Sequence, residues 1–367
     1  MSAISRFLMS RWGPIITGLT VGILAPVLVK LGNPGNMGIC VVCFNRDIAG
    51  ALGLHRASVV QYIRPEIIGF VLGALVAALI FREFKPRTGS SPFMRFLLGM
   101  FSVFGALVFL GCPWRAYLRL SGGDWNAIPG ILGLIAGIGI GVLFLRFGFS
   151  LGRSYPAPRA LGWMLPAAMV VLLVLLIVSP QFGRDADGNA VGPIFFSDQG
   201  PGSQHAPLLV ALGIGLLIGF LAQRSRFCTV GAVRDVFILR STHLFYGVLV
   251  LIAAAFITNL VLGQFKPGFV NQPVAHTDAL WNFSGMALAG LAFTLAGGCP
   301  GRQLFLSGEG DGDAALFVSG MIVGAGFAHT YSMASSPAGV AAFGPITVVI
   351  GLAFCIVIGL TMRGVKA

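Results

Sequence analysis

The chain has 367 residues, 56% hydrophobic and only 10% charged, with a mean hydropathy of +0.89 and a formal net charge of +12. Soluble domains carry about 25% charged residues, so this composition excludes a soluble enzyme and predicts a polytopic membrane protein. Positive residues stand singly between apolar runs, which excludes the clustered basic face of a nucleic-acid binder.

Residues 2–13 are short and basic, and the apolar run behind them is long enough to span, so no cleavable signal is required. Apolar runs at 13–31, 65–81, 93–111, 127–147, 161–180, 207–222, 243–263, 281–298, 314–330 and 341–362 predict ten spans. Each is near the roughly 20 residues that cross a bilayer, and 207–222 is among the weakest. With the N-terminus inside, connections on that side hold 16 Lys and Arg against 8 on the other, or 14 against 6 without four motif arginines. The positive-inside rule then places the N-terminus in the cytoplasm. The polar stretch 181–206, rich in Gly, Asp and Gln, falls outside, and no soluble domain is present.

Between the spans a cysteine pattern occurs twice. Cys40 is followed six residues later by Arg46-Asp47, and Cys228 by Arg234-Asp235. Cys112-Pro113 has Arg115 three residues after the cysteine, and Cys299-Pro300 has Arg302. The two cysteines of a set are 72 residues apart in the first half and 71 in the second. The chain therefore reads as two copies of one unit, in residues 1–160 and 207–367, joined by 161–206. Copies offset by five spans face opposite ways, the inverted-repeat architecture that places a site where the halves meet. The expected fold is all-α, with about ten transmembrane helices and two re-entrant cysteine-bearing elements per repeat. The motif segments 33–54, 111–124, 225–240 and 298–313 are too polar to cross, and such backbone is tolerated in a membrane only when buried in protein or lining a water-filled cavity.

Cys-Pro marks a helix start, because proline at the first helical position loses no hydrogen bond. The cysteine then caps a half-helix whose free N–H groups and dipole favour an anion, with Arg115 or Arg302 on the first turn. The plainer reading is a turn with an arginine anchor; duplication argues against it. Arg46-Asp47 and Arg234-Asp235 are adjacent opposite charges that neutralise one another, either fixing the loop or meeting substrate. Thiols are soft ligands, and four of them on facing loops could pass a sulfur- or selenium-bearing anion. Cys43 completes a Cys-x-x-Cys with Cys40 that the second half lacks. A disulfide, a metal ligand and a further rung in the thiol path are all open to it. A zinc tetrahedron is disfavoured because the cysteines enter from two sides. Cys355, in the last apolar span, reads as a small core hydrophobe. The acidic Ser-Gly stretches at 121–124 and 307–311 read as exit turns. Asn259 and His329 lie within spans, where an interhelical hydrogen bond is the expected role. No Walker loop, His-x-x-x-His pair or nucleophile triad is visible, so neither a catalytic set nor a cofactor is expected.

These residues resemble the YeeE/YedE family of sulfur- and selenium-related membrane transporters, through the duplicated thiol loops, Arg234-Asp235 and Gly297-Gly298-Cys299. The strings LGNPGNMGIC (31–40), RDIAGALGLH (46–55), QYIRPE (61–66) and FLGCP (109–113) are more similar to its selenium-associated YedE branch. The resemblance implies a multi-pass protein of the prokaryotic inner membrane that moves thiosulfate, selenite or a related anion past Cys40, Cys112, Cys228 and Cys299, and less directly past Cys43. It also implies a small TusA-like sulfur-carrier partner on the cytoplasmic side. The competing reading is a membrane thiol oxidoreductase that relays reducing equivalents through the same cysteines.

Overall fold

A computed structural model describes residues 3–178 and 194–363. Part of the expected outer loop, 181–193 with Arg184, and Lys366 of the charge count lie outside the described residues. The long helices are α2 (Trp12–Lys30), α4 (Pro65–Ile80), α5 (Pro92–Phe109), α7 (Ala127–Arg146), α8 (Arg159–Val178), α9 (Leu208–Ser225), α11 (His243–Val261), α12 (Ala279–Leu295), α14 (Gly312–Thr330) and α15 (Gly344–Thr361). Short helices α3 (Val41–Ala51), α6 (Pro113–Ser121), α10 (Thr229–Leu239) and α13 (Pro300–Gly308) carry the cysteine motifs. A further short helix, α1 (Ala3–Met9), and two two-residue strands, β1 (Arg87–Thr88) and β2 (Tyr155–Pro156) paired antiparallel, were not foreseen.

Nine helical segments among the described residues are long and apolar enough to cross a membrane, and α4 is a tenth at 16 residues. The weak span is thus not at 207–222: α9 runs a full 18 residues, because Gln223, Arg224 and Ser225 continue the helix beyond the apolar run. The fold is an all-α polytopic membrane protein.

The main helix pairs are α2 with α11, α4 with α9, α5 with α14 and α7 with α12. Exchanging each helix for its counterpart five spans away turns the first pair into the second and the third into the fourth. All four seams run backbone against backbone. A Cβ added to Gly18 would overlap the Gly247 carbonyl, and one on Gly133 the Phe283 carbonyl. Gly73 against Leu216 and Gly99 against Phe317 do the same in the other two pairs. Small residues allow this approach where lipid supplies no hydrophobic drive between helices.

The connections gather on two faces. Residues 81–91, 147–158, 226–228 and 309–311 share the N-terminal face. The loops 31–40, 52–64, 194–207 and 262–278 share the opposite face, tied by hydrogen bonds such as Asn33 accepting from Ala206 N and Gly122 O accepting from Lys266 N.

Candidate functional site

Each short helix has its cysteine at the buried N-terminus and its C-terminus at a face. Cys40, Cys112, Cys228 and Cys299 are all N-cap residues in extended backbone. Cys40 Sγ accepts from Cys43 N at 3.3 Å, and Cys228 Sγ from Gly231 N at 3.2 Å, so the two copies cap alike. Pro113 and Pro300 occupy the first helical position as the Cys-Pro reading expects. The exit turns match as well: Gly123 has φ +95° and Gly310 φ +93°, a left-handed conformation that glycine adopts at little cost.

Within each copy the thiols meet. Cys40 Sγ lies 3.8 Å from Cys112 Sγ. Cys299 N donates to Cys228 Sγ at 3.3 Å, and Arg302 N donates to Cys299 Sγ at 3.4 Å. All are buried; Cys228, at 6%, is the most accessible of them. Cys43 joins the first set, with Arg115 Nη1 3.7 Å from its sulfur. Cys355 sits apart in α15, fully buried. Among the described residues no group of three or more His, Cys, Asp or Glu side chains is placed to hold a metal ion.

The arginines differ more than their spacing predicts. Arg115 is not an open anion ligand: its guanidinium donates to the carbonyls of Leu110, Asn36 (3.2 Å), Pro273 (3.3 Å) and Val274 (3.0 Å). Leu110 needs that support. It is left-handed at φ +64°, where its counterpart in the second copy is Gly297 at φ +90°, and a side chain there costs on the order of 1 kcal/mol. Arg302, lacking such a task, lies 3.4 Å from Glu309. Arg46 pairs with Asp47 at 2.7 Å as expected, but Arg64, absent from the sequence reading, takes the other carboxylate oxygen at 2.7 Å. All three are buried. Arg234–Asp235 repeats the pair at 2.8 Å in a half-open setting.

The acidic exit turns and the span histidine take neighbours that the sequence did not assign. Glu309 receives Arg226 at 2.7 Å and Arg302 at 3.4 Å on the N-terminal face. Arg119 and Asp124 form a buried pair at 2.6 Å. His329 does not make the expected interhelical hydrogen bond. Its Nε2 has no partner among the described residues, and its ring lies 4.6 Å from that of His55. A cavity of about 210 Å³ on the N-terminal face is lined by Arg95, Arg234, Ala296 and Gly297 among others, ending two residues short of Cys299.

Glu83, in the connection after α4, belongs to the same charged face. Burial pushes its carboxyl up, but hydrogen bonds from Arg224 (2.6 Å) and Gln223 (3.0 Å) and the charge of Arg226 outweigh that and hold it below the usual value of 4.5. A carboxyl lowered by folding stabilises the fold above its unfolded pKa, and the gain is lost as pH falls through the folded value. Glu83→Gln is therefore expected to lower stability near pH 7 by on the order of 1–2 kcal/mol. The deficit should vanish in acid below the folded value; thermal unfolding in detergent across pH checks this, and a deficit constant with pH contradicts it.

Residues 224–361 match the family described as Sulphur transport. That match, confined to the second half of the chain, is what supports its resemblance to the YeeE/YedE family. The matched stretch takes in Cys228, Cys299, both arginine motifs of the second copy and the helices around them. Among curated proteins the chain is similar to the thiosulfate transporter TsuA of Escherichia coli (strain K12), 33% identical over 103 residues, which is 28% of this chain and 29% of that protein. The thiosulfate transporter TsuA of Spirochaeta thermophila is 31% identical over 97 residues, 26% of this chain and 29% of that one. An uncharacterized protein of Methanocaldococcus jannaschii, MJ1590, is 29% identical over 103 residues, 25% of this chain but 98% of its own. The chain thus spans under a third of the length of the two transporters it matches.

Proposed function

We propose that the protein carries a small sulfur-containing anion of the thiosulfate class across the membrane, with selenite or another selenium analogue as the narrower expectation from the 31–66 strings. The observation that carries this reading is the pair of thiol sets. Cys40 Sγ and Cys112 Sγ lie 3.8 Å apart at the buried helix starts of one copy, and Cys228 Sγ accepts a hydrogen bond from Cys299 N at those of the other. Helix N-termini favour negative charge, and sulfur ligands favour soft sulfur or selenium.

In this reading residues 1–160 and 207–367 are the two inverted units, and the anion passes Cys40, Cys43 and Cys112, then Cys299 and Cys228. Arg46 and Arg115 act as fixed positive charge within a structural frame, with Asp47 as counter-charge. Arg302 and Arg234, beside Glu309, Asp235 and the cavity at Gly297, line the mouth on the N-terminal face. That face is the cytoplasmic one, and a TusA-like carrier would dock there. No step requires a bond to be made or broken, so the protein is not an enzyme.

The oxidoreductase alternative draws on one distance: two thiols 3.8 Å apart need little movement to reach the roughly 2.05 Å of a disulfide. Reconstitution in liposomes separates the two. Labelled thiosulfate should accumulate well above protein-free liposomes and be competed by selenite but not by chloride. Accumulation equal to protein-free liposomes would sink the transport reading, and oxidation of a trapped thiol without anion uptake would put the alternative in its place.

A further inference from the structure

One side chain that the repeat does not share reaches from the first thiol-bearing helix pair to the second. Trp114 is the second residue of α6, directly after Cys112-Pro113, and the same place in the second copy is Gly301. Its ring lies over that glycine. A Cβ on Gly301 would sit 3.1 Å from Trp114 Cε2 and Cζ2 and 3.2 Å from Nε1. The ring also meets Phe227 edge-on at 5.5 Å, Phe70 at 5.9 Å and Phe305 at 6.2 Å. Phe227 precedes Cys228, and Gly301 follows Cys299 by two. One indole therefore reaches from the first turn of the Cys112 helix onto the first turn of the Cys299 helix.

Trp114 is fully buried, and its Nε1 has no hydrogen-bond partner among the described residues. Buried indole N–H groups normally find an acceptor, and leaving one unpaired is costly. What surrounds this N–H is aromatic carbon and the N-terminal turn of α13, where Arg302 N and Gln303 N already donate to Cys299 and Gly301 N is left as a second donor. Donors converging without an acceptor describe a place for a negatively charged oxygen.

We propose that Trp114 Nε1 is the donor that holds the oxygen end of the anion as it crosses between the two thiol sets, while its ring closes the crossing when no anion is present. This rests on the transport reading and narrows it. The substrate class becomes a small oxyanion whose exposed sulfur or selenium faces the thiols while its oxygens face the indole. A bare sulfide has no oxygen for the indole and gains nothing from it.

Two changes test the N–H itself. Trp114→Phe keeps an aromatic ring, and replacing Trp114 with benzothienylalanine keeps the bicyclic shape while removing the donor. The benzothienyl protein is expected to melt no lower than wild type, since an unpaired polar group is removed at constant shape, whereas Trp114→Phe melts lower because it opens a cavity. Both are expected to lose thiosulfate uptake by roughly tenfold or more through a raised KM. Tryptophan emission gives a second readout: thiosulfate should shift it in the wild type and not in Trp114→Phe. Wild-type KM and maximal rate in the benzothienyl protein would overturn the proposal, as would an emission shift that persists in Trp114→Phe. If the wild type moves no thiosulfate, the transport reading fails on its own account. The emission titration still decides the role of Trp114, because an unchanged wild-type spectrum refutes it.

Discussion

Serine at position 112 or 299 is expected to cut thiosulfate uptake about 100-fold or more, with the fold intact. The fold survives because both cysteines are N-caps, and serine is among the best residues there. What serine removes is the large, weakly hydrated sulfur. Cys112 Sγ faces Cys40 Sγ at 3.8 Å, and Cys299 Sγ stands at the start of α13. A hydroxyl binds water more strongly than it binds a soft sulfur terminus, so each substitution raises the barrier at its own rung. A 100-fold loss corresponds to about 2.7 kcal/mol, a reasonable value for one mismatched contact in a dry path. Cys355→Ala is the control, since Cys355 lies in α15 away from both sets, and its uptake should stay near wild type. Equal uptake by wild type, Cys112→Ser and Cys299→Ser in proteoliposomes would remove the thiols from the path.

Asp47→Ala is expected to have the largest effect on stability. One carboxylate serves Arg46 and Arg64, each at 2.7 Å, and all three side chains are at most 2% exposed. Deleting it leaves two guanidinium groups buried without a counter-charge. Breaking a buried pair from one side costs roughly 3–5 kcal/mol, against a total stability of about 5–15 kcal/mol. The variant should accumulate poorly or unfold far earlier in detergent. Asp235→Ala makes the comparison. Its arginine is 28% exposed, so water replaces the lost partner and the cost should stay near or below about 1 kcal/mol. Adding Arg64→Met to Asp47→Ala should recover part of the loss, because it removes one of the stranded charges. Equal losses for Asp47→Ala and Asp235→Ala would show that the two copies use this pair in the same way.

Much of this architecture was legible in the chain itself. The matched Cys-Pro dipeptides announced two helix starts, and the apolar runs announced the long helices to within a few residues. Local rules reached that far because caps and spans are written in neighbouring residues. They failed where a partner is remote. Nothing near Arg64 marks it as the second partner of Asp47, seventeen residues earlier. Arg115 matches Arg302 in spacing, yet the need to hold a left-handed Leu110, where the other copy has Gly297, gives it a structural task. Trp114 was visible as a sequence letter, but only its fit against Gly301 shows why the copies differ there. A comparison of the repeats position by position, beyond the cysteines and arginines, would have singled out Trp114, Cys43 against Gly231, and Glu309 against Gly122 as the departures from symmetry.

The glycine seams have a consequence for how such a protein works. Every long helix of the four main pairs has its closest companion in the other half, so the halves are laced together and neither forms a separable lever. Tilting one against the other, the usual way for an inverted repeat to open alternately to each side, would pull four backbone contacts apart at once. Motion confined to single side chains at the crossing leaves them untouched. A carrier of that kind would behave as a stiff sieve rather than a lever.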